Sequence, residues 1–198
     1  MEGPDRAPLA MKRFIAIVMI VLAAGLPGCG KKDGVYKNYY KSGRIMSETG
    51  YSEGKLHGRS TDYYENGKIK ELIHYSHGRK DGEYKAYYEN GKTESEAVYK
   101  AGKLEGVNRQ YYSTTKPKAL LFYRDGKLHG HAKFYDTAGK LQAEGDYRNG
   151  MKEGEWKGYQ ESSGNLAYIE TYSRDKKLTR KEINFDGTVV SAQHYGDS

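Results

Sequence analysis

Few side chains in this sequence could do chemistry. His129 and His131 stand two apart, which would put both on one side of a strand, where a pair of imidazoles can chelate a metal. His74 and His77 flank a turn, and His57 occupies the same place as His129 in a sequence that repeats every 24 residues. Glu48, Glu96 and Glu144 recur at one position of alternate copies, with Leu72 and Leu120 between them. On a sheet that spacing is roughly 19 Å, too far for a general acid/base pair. Ser113-Thr114-Thr115 offers hydroxyls with no neighbouring His. The glycines read as turns with no helix after them, so none cradles a phosphate. The inventory points to a protein that is not an enzyme and needs no metal or cofactor.

The elements that position these groups come from the repeat. Glycine falls at 34, 58, 82, 106, 130 and 154 without slippage. Five residues after each comes Tyr39, Tyr63, Tyr87, Tyr111, Tyr135 and Tyr159. Nine after come Gly43, Gly67, Gly91 and Gly139, with Thr115 and Ser163 breaking the column and Gly187 resuming it. Tyr51, Tyr75, Tyr99, Tyr123 and Tyr147 form a third column, and Gly54, Gly78, Gly102, Gly126 and Gly150 a fourth. A period of this length marks a solenoid or array of small units.

Asn66-Gly67 and Asn90-Gly91 predict two-residue type I′ hairpins between short Tyr-rich runs. The expected fold is all-β, an elongated single-layer sheet or open solenoid of about six hairpins over 34–177, with residues 178–198 as a degenerate C-terminal cap. Pairing across such a loop puts Tyr36, Tyr40, Tyr84, Tyr88 and Trp156 on one face with Ile45, Ile69, Ile73, Leu121, Leu141, Tyr51, Tyr75 and Tyr99. That face should be the packed one, and the Tyr39 column should point the other way. The fourth copy, Ser113 to Lys118, has no glycine and contains Pro117, so a longer irregular loop is expected there.

Composition agrees. Of 198 residues, 30% are charged and 36% hydrophobic, which would suit disorder were it not for 20 Tyr and 25 Gly. Each Tyr ring buries a large area while its hydroxyl stays wet, so the core should be thin and aromatic. The net charge of +7 is spread among alternating Lys and Glu with no block of one sign, which argues against nucleic acid as a partner.

The N-terminus reads as an export signal. Lys12 and Arg13 precede an apolar run from Phe14 to Gly25, shorter than the roughly 20 residues of a spanning helix. Residues 1–28 are therefore expected to be a signal peptide containing a short helix, with Met11 as an alternative start. Residues 29–33 make a linker. Leu26-Pro27-Gly28-Cys29 resembles a bacterial lipobox, and Cys29 is the sole cysteine in the chain. The resemblance implies cleavage before Cys29 and a diacylglycerol on its thiol. An ordinary signal peptide with an incidental cysteine is the alternative. Gly30 in place of Asp implies sorting to the outer membrane in a Gram-negative cell.

The columns Gly82-Glu83-Tyr84-Lys85-Ala86-Tyr87-Tyr88-Glu89-Asn90-Gly91-Lys92 resemble the bacterial variant-2 form of the MORN repeat. Chains of this kind are grouped with the YwqK-type antitoxins, which implies a protein partner and no catalysis. The expected function is a lipid-anchored scaffold of the bacterial cell envelope that binds a protein or a cell-wall glycan. Its binding surface is the Tyr39, Tyr63, Tyr87, Tyr111, Tyr135 and Tyr159 column, because Tyr gives rigid amphipathic contact at low entropy cost. A cytosolic toxin-neutralising protein is the other reading.

Overall fold

The computed structural model describes residues 32–196. The expected signal helix and the lipobox residues Leu26, Pro27, Gly28 and Cys29 lie outside the described residues.

One sheet of sixteen strands accounts for the fold, and the strands follow one another across it in chain order. They are β1 (Gly34–Tyr39), β2 (Ile45–Ser52), β3 (Lys55–Tyr63), β4 (Ile69–Ser76), β5 (Arg79–Tyr87), β6 (Thr93–Lys100), β7 (Lys103–Leu104) and β8 (Gly106–Tyr111). The second half adds β9 (Pro117–Arg124), β10 (Lys127–Leu128), β11 (Gly130–Tyr135), β12 (Leu141–Arg148), β13 (Met151–Tyr159), β14 (Leu166–Ser173), β15 (Lys176–Ile183) and β16 (Val189–His194). The short β7 and β10 lie off the main path, so the sheet has fourteen strand positions and a length of about 65 Å. Every pairing is antiparallel.

The hairpin turns differ from expectation in type. Gly67 N donates to Tyr64 O at 2.9 Å and Tyr64 N to Lys68 O at 2.8 Å, which makes a three-residue loop with Gly67 alone left-handed, φ 86°. Asn66 and Asn90 are not among the residues at positive φ. The asparagine side chain explains this: Asn66 Oδ1 accepts from Lys68 N at 3.0 Å, and Asn90 Oδ1 from Lys92 N at 2.9 Å. The two-residue turns with two left-handed residues lie instead at the other edge, as in Glu53-Gly54 (φ 49° and 72°) and Ala101-Gly102 (φ 50° and 90°).

Ile45, Ile69 and Leu141, expected on the packed face, pair instead with Tyr39, Tyr63 and Tyr135, but beyond them the predicted faces survive for a geometric reason. The third loop residue advances one strand by one position, and a β-bulge just after the turn takes it back. Tyr63 pairs with Ile69 but Asp62 with Glu71, leaving Lys70 as the extra residue. Beyond the bulge, Ser60 faces Ile73 as a two-residue loop would have placed it.

The fourth copy also corrects the sequence reading. Tyr112 N donates to Lys116 O and Thr115 N to Tyr112 O, both at 2.8 Å, so the turn is the same as in its neighbours. Thr115 is held at φ 77° to achieve it. Pro117 is tolerated because it opens β9, where a missing donor matters least. In the sixth copy Gly164 N donates to Gln160 O, a loop one residue longer than the others. The segment beyond residue 178, where a cap is expected, forms the last hairpin with the familiar turn, Gly187 N to Asn184 O at 3.1 Å.

A single-layer sheet has no second layer to bury against, so its core is one face closed over by its own side chains. Ile73, Leu121, Ala132 and Trp156 are buried there, and Tyr123, Leu128, Phe134, Tyr147 and Tyr172 pack around the last three. Sizes alternate along the row: Gly145 lies under Trp156, where a Cβ would come within 2.4 Å of the indole. Consecutive copies are also stitched by tyrosine hydroxyls. Tyr40 donates to the carbonyl of Tyr63, Tyr64 to that of Tyr87, Tyr88 to that of Tyr111 and Tyr112 to that of Tyr135, at 2.5–2.7 Å. Each such bond contributes about 1 kcal/mol.

A β-branched residue in the left-handed region is strained by roughly 1–2 kcal/mol. Thr115→Gly should therefore raise stability by about 1 kcal/mol, seen as a higher urea midpoint, and an unchanged or lower midpoint would contradict the turn.

Candidate functional site

The face opposite the core carries the tyrosine column and a charged row in register across the sheet. Pairing runs Lys37–Glu48–Thr61–Leu72–Lys85–Glu96–Arg109, one residue per strand. It continues Leu120–Lys133–Glu144–Lys157–Ile169–Lys181. Neighbours are about 4.8 Å apart, so a cation or threonine stands on every second strand. Between them acidic and aliphatic residues alternate, giving a 48-residue beat on top of the 24-residue one.

That beat divides the tyrosine column. Tyr63 Oη donates to Glu48 Oε2 at 3.0 Å, Tyr111 to Glu96 Oε2 at 3.4 Å and Tyr159 to Glu144 Oε1 at 2.6 Å. Each bond reaches back fifteen residues into the previous copy. The same step from Tyr87 and Tyr135 lands on Leu72 and Leu120. Among the described residues no side chain hydrogen-bonds the hydroxyl of either. Tyr39, on the edge strand, is 57% exposed. The sequence showed both columns but not the tie between them, although the recurring fifteen-residue step was its signal.

Electrostatics sharpen the division. Lys37 Nζ lies 2.7 Å from Glu48 Oε1, and Lys37, then Tyr63, hold that carboxyl below its usual value. Glu144 is held lower, at about 2, first by the Tyr159 hydroxyl and then by His131 and Lys133, against the opposing effect of burial. Burial and the Glu144 carboxylate push Tyr159 up to about 12.

The histidines do not assemble a metal site. His131 lies between two carboxylates, with Nε2 3.2 Å from Glu144 Oε2 and Nδ1 3.1 Å from Asp146 Oδ1. The carboxylates sit on opposite ring nitrogens and converge on no common point. His129 Nδ1 and His74 Nδ1 are buried without a hydrogen-bond partner, while the rings of His57 and His77 meet edge to face at 5.6 Å. Among the described residues no group of three His, Cys, Asp or Glu side chains is arranged for a metal. One acidic pair escaped sequence reading: Asp62 and Glu71 face each other on the core side, beside a hollow of about 240 Å³ lined also by Thr49, Tyr51, Ser60 and Tyr75. Gly43, Gly67, Gly91 and Gly139 serve the turns, at φ 82–88°.

A family model described as MORN repeat variant matches residues 32–53, 56–77, 80–101 and 128–149. The matches keep the 24-residue beat and skip the copy at 104–125, which contains Thr115 and Pro117 and nevertheless folds like the rest. No curated protein matches the chain. Repeats of this kind point to a binding or scaffold role, and all-β repeated hairpins are what the structure has.

Glu144 supplies a pH test. Its folded value lies below the unfolded carboxyl value of 4.5, so its stabilisation is complete above that pH and is lost as pH falls toward about 2. Glu144→Gln should cost about 1–2 kcal/mol at pH 7. In urea titrations the gap to wild type should narrow below pH 4.5, and a gap independent of pH would rule out the ionised carboxylate as its source.

Proposed function

We propose that this chain is a non-catalytic, membrane-anchored repeat scaffold of the bacterial cell envelope that binds a protein partner or a wall polymer on its Tyr39 face. The observation carrying this reading is the alternation on that face. Tyr63, Tyr111 and Tyr159 are locked by carboxylates, which makes the surface rigid. Tyr87 and Tyr135, beside Leu72 and Leu120, keep hydroxyls with no side-chain partner among the described residues and offer both stacking area and a donor. Rigid rings at regular spacing suit an extended ligand, because little side-chain entropy remains to be lost on binding.

Anchoring rests on the run from Lys12 to Gly30 and on Cys29. Four residues separate Cys29 from the first strand, five steps of chain spanning at most about 17 Å, so the sheet would stand close to the lipid. Several acyl chains on one cysteine hold a protein stably where one would not.

Cells fed radiolabelled palmitate should label the wild-type protein and leave Cys29→Ala unlabelled; unlabelled wild type in the cytosol would favour the toxin-neutralising role instead. Binding is checked by capture from detergent-solubilised envelope. Tyr87→Ser with Tyr135→Ser should reduce the captured partner at least tenfold with the sheet's circular dichroism unchanged, and undiminished capture would remove this face from the function.

A further inference from the structure

Both ends of the sheet are cut surfaces of the same array. Among the described residues β1 pairs only with β2, and β16 only with β15. The shared bulge makes β16 the counterpart of β2: Glu182 with Ser191 and Ile183 with Val189 repeat the pairs Asn38 with Ser47 and Tyr39 with Ile45. By the same measure β1 corresponds to the outer part of β3, Gly58 to Tyr63. Where the array continues, these positions are covered. Every residue of β2 is half-buried or buried, whereas every residue of β16 is exposed, Val190 by 62%. Tyr39 is exposed while its five copies are half-buried.

The composition of the free edge is equally uneven. Val189-Val190-Ser191-Ala192-Gln193-His194 contains no Lys, Arg, Asp or Glu, and each of the other fifteen strands contains at least one. Charge on an open edge is a common protection against pairing with another chain. Here that protection is missing, and among the described residues no strand covers the edge.

We propose that β1 of a second copy of this chain pairs with β16, head to tail, and continues the sheet in its own register. Strand direction permits it: β1 and β16 occupy the first and fourteenth positions of an alternating antiparallel sheet, so an added β1 runs antiparallel to β16. The junction of β2 with β3 fixes the register, Ser47 with Asp62, Glu48 with Thr61 and Thr49 with Ser60. Transferred to the ends, it sets Ser191 opposite Asn38, Ala192 opposite Lys37 and Gln193 opposite Tyr36 of the incoming copy. No like charges meet. Ser191 with Asn38 repeats a pair that already bonds within the first hairpin, Asn38 Nδ2 to Ser47 Oγ at 2.9 Å. The new junction lacks the tyrosine stitch, since Asn184 stands where Tyr40 and its copies stand. It joins two strands of only six residues each, so each contact is weak and assembly grows with concentration. A contact of this heterologous kind leaves the same two edges free on each pair and adds copies head to tail.

The test uses the full chain in detergent with Cys29→Ser, which leaves no native thiol. Lys37→Cys and Ala192→Cys together should give, under mild oxidation, a non-reducing gel ladder of dimers, trimers and longer species that collapses on reduction. Mixing the two single-cysteine chains should give one dimer species, joining one to the other. Lys41→Cys with Ala192→Cys, out of register, should yield at least tenfold less product. Three results would overturn the proposal: no ladder at protein concentrations up to about 0.5 mM, an equal ladder from the out-of-register pair, or Ala192→Cys alone forming a dimer in high yield. The last would indicate two-fold pairing of β16 with itself.

Discussion

A single layer of β-hairpins can bury nothing unless each copy lies against the next, and every other feature depends on that constraint. The tyrosine hydroxyls of Tyr40, Tyr64, Tyr88 and Tyr112 answer it directly, each reaching the backbone carbonyl of the following copy. Their bonds fix the offset between copies to a whole repeat, and a fixed offset stacks equal positions into rows. Rows then allow Ile73, Leu121 and Trp156 to be covered by neighbours on the same face, which supplies most of the apolar burial among the described residues. Stability is therefore distributed along the array in nearest-neighbour contacts, as in other repeat proteins.

The same rows organise the opposite face. Because the offset is exact to the residue, alternating Glu and Leu in sequence becomes alternating wet and dry stripes in space. A carboxylate within reach locks a tyrosine, and a leucine in its place leaves the hydroxyl available. The pattern turns one chemical column, the Tyr39 column, into two populations: Tyr63, Tyr111 and Tyr159 are tied by carboxylates, and Tyr87 and Tyr135 stand beside leucines, their hydroxyls without a side-chain partner among the described residues. The open edges follow from the constraint as well, since an array whose copies need a neighbour leaves that need unmet at its first and last strands.

Two local structures resisted reading from sequence, each for a physical reason. Asn-Gly predicts a two-residue turn, yet the asparagine side-chain oxygen accepts from the backbone two residues on and caps the loop, so glycine alone occupies the left-handed region. Thr115 lacks the glycine that the turn requires, but bonds to both neighbouring copies hold the hairpin in register and impose φ 77° on it. In the first case a side-chain hydrogen bond outweighed backbone propensity, and in the second the array outweighed local strain.

The period, the all-β class, the two faces and, beyond the bulges, the residues on each were set by sequence alone, because a strand's side chains alternate strictly and a 24-residue beat leaves one register in which the apolar set lies together. Only the tertiary structure decided which turns are left-handed at two residues, which tyrosines are tied and which are available, and that the last strand ends uncovered. Which tyrosines are tied depends on atoms fifteen residues apart coming within 3.4 Å or failing to. Distances of that kind exist only once the copies have stacked.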